Sequence, residues 1–138
     1  MTPGKQEVSS ADAPGAIGPY SQAIRVPAQT MVFISGQLGI DPASGGLVAD
    51  TVGGQTRQAL RNLLAVVKQA GGDITSVVKT TVYLTRMDHF GAMNEEYAAF
   101  FTRPFPARAC VAVAELPKGA LVQIEAIAIV GRGANAGK

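Results

Sequence analysis

A single cysteine and a single histidine are all that this 138-residue chain holds of the residues that build disulfides, zinc sites and thiol catalysis. One cysteine closes no internal disulfide, and Cys110 with His89 makes neither a zinc site nor, so far apart in the chain, a nucleophile–base pair. The thiol is expected to line a pocket or core as a small hydrophobe, and His89 to be a solvated surface residue. Charge is scarce too: 16% of residues are charged, twelve basic against ten acidic, for a net +2. The Lys and Arg are scattered singly, without the basic stripe that phosphate backbones select, so nucleic acid is not an expected partner. No apolar run approaches the roughly 18 residues of a membrane span, and residues 1–10 lack an apolar stretch that could serve as a signal. A soluble, cytoplasmic protein without membrane contact or bound metal is the expectation.

Apolar residues, by contrast, make up 47%, with a mean hydropathy of +0.20. That is apolar for one small domain, and it predicts that some of the surface is covered by copies of the same chain. Residues 1–12 and 131–138 mix small, polar and charged residues without period and read as loose ends around a single domain, 13–130. A Gly-Pro turn at 18–19 leads to a short strand at 23–26. A second strand follows at 30–35, and the chain bends away at Gly36-Gln37-Leu38-Gly39. From about Thr51, Ala59, Leu60, Leu63, Leu64, Val67 and Ala70 recur on one helical side until Gly71-Gly72 stops them. Residues 77–84, rich in β-branched side chains, predict a central strand. Asp88 then reads as the N-cap of a second helix carrying Phe90, Met93, Tyr97, Phe100 and Phe101.

Two final strands, about 107–114 and 121–130, are joined by a connection short enough for an antiparallel hairpin. The order ββαβαββ describes an α+β sandwich, a mixed sheet with two helices on one face. Both last strands are largely apolar at odd and even positions alike, so the helix-free face needs cover from other subunits.

Within those two strands lie two isolated charges of opposite sign. Arg108 is the only charge between 107 and 114, and Glu125 the only one between 121 and 130. A hairpin turning about Pro117-Lys118 sets Cys110 opposite Glu125, making the guanidinium and the carboxylate diagonal neighbours on one face. A slip of one residue separates them. A structural ion pair, within the chain or across a subunit boundary, is one reading of the two charges. The other gives each its own task, with Arg108 as a planar fork for a carboxylate and Glu125 as acceptor of a proton from water.

Gly18-Pro19-Tyr20-Ser21-Gln22-Ala23, Ser35-Gly36-Gln37, Val78-Lys79-Thr80-Thr81-Val82, Asn94 with Tyr97 and Phe100-Phe101, Phe105-Pro106-Ala107-Arg108-Ala109-Cys110-Val111 and Ile124-Glu125-Ala126-Ile127-Ala128 stand in one order along the chain. In these motifs residues 13–130 resemble the Rid family of reactive-intermediate deaminases, also called the YjgF family. The resemblance implies a chorismate-mutase-like α+β subunit and a homotrimer with active sites between subunits. It implies hydrolysis of 2-imino and enamino acids such as 2-aminoacrylate and 2-iminobutanoate to 2-keto acids and ammonia, with no cofactor. In the implied site Arg108 holds the substrate carboxylate and Glu125 positions the water. Backbone near Gly36 and Cys110 contacts substrate or water, and Tyr20 and Asn94 line the pocket.

Many family members carry Ser or Thr directly after the arginine, where this chain has Ala109. On a strand that side chain points away from Arg108, so the difference bears on substrate range more than on reaction type. A second implied reading is a non-catalytic trimer that binds small carboxylates or 2-keto acids and acts through protein partners. Ribonuclease activity, attached to some relatives, conflicts with the near-neutral charge.

Overall fold

The computed structural model describes residues 4–27 and 30–131. β1 (Gln6–Val8) and β2 (Ala23–Arg25) form an antiparallel pair of their own, so part of the stretch expected to be loose is a strand. β3 (Thr30–Leu38), β4 (Val77–Leu84), β5 (Ala107–Ala112) and β6 (Val122–Val130) form a four-stranded sheet in the order β3-β6-β4-β5. Two helices, α1 (Val52–Gln69) and α2 (Phe90–Phe100), complete the α+β sandwich. Residues 132–138 of the expected tail lie outside the described residues.

The hairpin expectation fails. β5 does not pair with β6: β4 lies between them, antiparallel to β6 and parallel to β5. The reason is the connection through α2, since a strand–helix–strand crossover returns the chain parallel to the strand it left. The short link between β5 and β6, with a 3-10 turn at Pro117–Gly119, therefore spans one intervening strand instead of folding back on itself.

α1 forms where the apolar period predicts it. The Thr51 side chain accepts from the Gly54 N–H at the start, and the Gly71 and Gly72 N–H groups donate to Lys68 and Val67 carbonyls at the end. Gly71, at φ 96°, has the left-handed conformation such a stop requires. α2 begins one residue later than expected, after a 3-10 turn at Met87–His89. Asp88 is not its N-cap; that position belongs to His89, which makes no capping bond, while Asp88 pairs with Arg86. His89 is half-buried, not solvated, and its Nδ1 is buried without a hydrogen-bond partner among the described residues.

The core lies between sheet and helices. Ala59, Leu60, Leu63 and Val67 of α1 and Met93 and Tyr97 of α2 pack on Val82, Leu84, Val122, Ile124, Ala126 and Ala128. Gly39 lets α1 approach: a Cβ there would lie 2.6 Å from the Gln55 backbone. The chain does not bend away at Gly36; β3 runs on to Leu38 through an irregularity between Ile34 and Gln37. On the opposite, helix-free face the rows Phe33–Ile127–Lys79 and Glu125–Thr81–Ala109 lie side by side. Phe33 is 70% exposed there, and Met31 and Val111 are exposed with it.

Candidate active site

Arg108 belongs to the row Ala126–Thr80–Arg108, one position from the row that carries Glu125. Side chains alternate across a sheet, so Arg108 leaves on the helix side and Glu125 on the open side. The six residues singled out from the sequence accordingly fall into two groups within one chain. Tyr20, Asn94, Arg108 and Cys110 come together; Gly36 and Glu125 lie elsewhere, on the other face.

The Arg108 group is built from an edge strand, a helix and a loop. Phe90, Asn94 and Tyr97 stand at four- and three-residue steps of α2 and so share the side turned toward β5. Asn94 Oδ1 accepts a hydrogen bond from Arg108 Nη1 at 2.7 Å. The guanidinium carbon lies 4.7 Å from the centre of the Tyr97 ring and 5.5 Å from those of Phe90 and Tyr20. Aromatic faces attract such a cation without neutralising it. Tyr20 is brought in because the next residue ties its loop to the start of β5: the Ser21 N–H donates to the Pro106 carbonyl, and the Ser21 hydroxyl to that of Phe105. Among the described residues no carboxylate lies within ion-pair distance of Arg108. The intramolecular Arg108–Glu125 ion pair is thus ruled out in this chain.

Cys110, two residues on, is half-buried on the same side and packs against the core. Burial pushes its thiol above the usual cysteine value, opposed by the nearby Arg108 charge, so it stays a thiol and not a thiolate at neutral pH.

The Glu125 group lies where β3 is irregular. A Cβ on Gly36 would fall 2.5 Å from Gln123 Nε2, so the missing side chain lets the Gln123 amide lie across the strand. Gln123 and Glu125 share the open face, opposite Tyr83 and Thr81 of β4. The Tyr83 phenol is held above its ordinary pKa, first by desolvation and then by the charge of Glu125 and a hydrogen bond to it. Gly36 also helps line a shallow groove of about 420 Å³ with Gln37, Leu38, Ile40 and Asn62.

Sequence reasoning named Phe90, Tyr97 and Thr80 only as helix or motif residues and gave none of them a place in the site. The usable signal was the shared helical side of Phe90, Asn94 and Tyr97, which became informative once α2 was known to pack over β5.

The chain matches the family described as endoribonuclease L-PSP over residues 10–130. It is 50% identical over 127 residues to human 2-iminobutanoate/2-iminopropanoate deaminase, covering 92% of this chain and 91% of the relative. It is 42% identical to the crystal structure of RidA from an Antarctic Psychrobacter, with a TM-score of 0.71 over 91% of this chain and 99% of that one. The chain belongs to the Rid family. A further Rid-like neighbour is Escherichia coli TdcF, solved with bound serine, 41% identical at a TM-score of 0.68 over 90% of this chain and 98% of that one. The Pro-Ala-Arg-x-Cys block of this Rid chain is the start of β5, and its Ile-Glu-Ala-Ile-Ala block the middle of β6. Each block thus supplies one of the two groups, with β4 between them.

Proposed function

We propose that this Rid chain hydrolyses 2-imino and enamino acids of the 2-iminobutanoate and 2-aminoacrylate class to 2-keto acids and ammonia, as a cytoplasmic homotrimer with sites between subunits. Its relatives' name, 2-iminobutanoate/2-iminopropanoate deaminase, supports the substrate class. The observation that carries the reading is the pairing of two uncompensated charges on opposite faces of one sheet. Neither is neutralised by an ion pair among the described residues, and one protomer cannot turn both onto one small substrate. Two protomers can, if the edge of one, with Arg108, meets the open face of another, with Glu125. The exposed Phe33, Met31 and Val111 on that face give the contact its apolar drive.

An imine carbon is already electrophilic, so the reaction needs orientation, a water on the correct face and a proton route, and no covalent nucleophile. Arg108 uses one N–H on Asn94 and keeps the others for the substrate carboxylate. Glu125 takes a proton from the attacking water as the C–O bond forms. On the protonated imine this gives a neutral carbinolamine, which loses ammonia when that proton reaches the nitrogen and the new hydroxyl gives its own proton back to Glu125, leaving the keto acid. Tyr20 and Asn94 wall the carboxylate end, and backbone at Gly36 and Cys110 contacts water or substrate. Ala109 lies on the open face, away from this clamp, and bears on range and not on the reaction.

The test generates 2-aminoacrylate or 2-iminobutanoate with a dehydratase and follows its decay with and without purified protein. Faster keto-acid release with wild type, absent with Arg108→Ala, supports the enzyme. Because the Arg108 group is complete within one protomer, carboxylate binding without hydrolysis is the competing reading. It prevails if wild type binds a 2-keto acid yet adds nothing to the spontaneous rate.

A further inference from the structure

Thr80 is the residue directly beside Arg108 in the parallel β4–β5 pairing, and its hydroxyl meets the Tyr97 phenol at 2.7 Å in the buried core. The Tyr97 ring is in turn the nearest of the three aromatic rings to the guanidinium, at 4.7 Å. Strand, helix and neighbouring strand thus close a triangle: the Arg108 guanidinium sits over the Tyr97 ring, Tyr97 bonds to Thr80, and Thr80 stands in backbone register with Arg108. Phe90 has no polar tip, and among the described residues the Tyr20 hydroxyl meets only the Ile17 N–H of its own loop, at 3.4 Å. Among the described residues, Tyr97 is the one ring of the three whose own side chain hydrogen-bonds to the sheet from which Arg108 projects. Burial also pushes its phenol up to about 12, so the hydroxyl is protonated at neutral pH.

We propose that Tyr97, braced by Thr80, is a positioning residue that fixes the plane of the Arg108 guanidinium and presents its unspent N–H groups as a rigid fork to an incoming carboxylate. A guanidinium recognises a carboxylate through two parallel bonds, so a rotation of its plane weakens the clamp even with the charge retained. Asn94 holds one nitrogen; the ring underneath fixes the remaining rotation. The inference rests on the imine-hydrolase reading, because it assigns Arg108 the substrate carboxylate.

Both residues are wholly buried, so the experiment must separate positioning from stability. Tyr97→Phe, Thr80→Val and the double variant are compared for melting temperature, for kcat and KM on in-situ 2-iminobutanoate, and for calorimetric binding of 2-oxobutanoate. Each single variant strands one buried hydroxyl and should lose stability; the double strands none and should recover part of it. The positioning role predicts a KM and a 2-oxobutanoate Kd raised about five- to tenfold in all three, with kcat within about twofold of wild type. In the double variant, affinity stays low although stability returns. Affinity that is unchanged, or that follows the melting temperature back up in the double variant, overturns the inference while leaving the enzyme reading intact. A wild type that neither hydrolyses the imine nor binds the keto acid overturns both.

Discussion

Arg108 and Glu125 leave one sheet on opposite sides, the first in a row with Thr80 and Ala126, the second in the adjoining row with Thr81 and Ala109. A charge on each face of a single layer cannot grip one small molecule from within one protomer, so on the proposed reading each copy contributes Arg108 to one site and Glu125 to another.

Mixing therefore restores what mutation removes. Arg108→Ala and Glu125→Gln are each expected to lower kcat/KM at least about 100-fold. When equal amounts are unfolded and refolded together, about one quarter of the interfaces in a cyclic assembly unite an intact Arg108 with an intact Glu125. Activity near that fraction of wild type is the expected result. A mixture as dead as its parts would show that the two residues do not meet across a boundary.

The open face should hold the copies together. Phe33, 70% exposed in the isolated chain, stands beside Ile127 in that face. Phe33→Asp is expected to shift the mass measured by light scattering to that of one chain and to abolish turnover, although it touches nothing around Arg108. An unchanged mass would move the contact elsewhere.

Two glycines three residues apart should respond differently to the same methyl group. At Gly39 the added Cβ meets helix backbone at 2.6 Å, which cannot yield, so Gly39→Ala should cost about 2 kcal/mol or more in urea unfolding. At Gly36 it meets the movable Gln123 amide, so Gly36→Ala should cost less stability and more activity, through the displaced neighbour of Glu125. Equal losses of stability would contradict this ordering.

Alkaline pH should expose the buried phenol. The Tyr97 pKa is raised from 10.0 to about 12, chiefly by burial, so the folded chain keeps a proton that the unfolded chain releases. Its stabilisation is complete below pH 10 and is lost as pH rises from about 10 toward 12, by on the order of 2 kcal/mol. Urea midpoints measured from pH 9 to 11 should fall less steeply in Tyr97→Phe than in wild type. Parallel slopes would remove Tyr97 as the cause.

The two helices, the stop of the first at Gly71-Gly72 and the strands at 77–84 and 122–130 were legible because each is written in local periodicity, capping and β-branched composition. The Arg108 and Glu125 motifs were legible because lone charges stand out in apolar strands. The start of α2 was misread because Asp88 has cap chemistry but turns to Arg86 instead. What spacing along the chain could not convey was which strands are neighbours. A short link between β5 and β6 suits a hairpin as well as it suits a step across β4, and the crossover through α2 decides for the latter. That decision is tertiary, because it depends on which apolar faces bury one another across the whole sheet. It puts Arg108 and Glu125 on opposite faces and gathers Phe90, Asn94 and Tyr97 around the cation. The amino-acid order by itself determined the family, the elements and the two charges; packing alone determined that they cannot meet inside one chain.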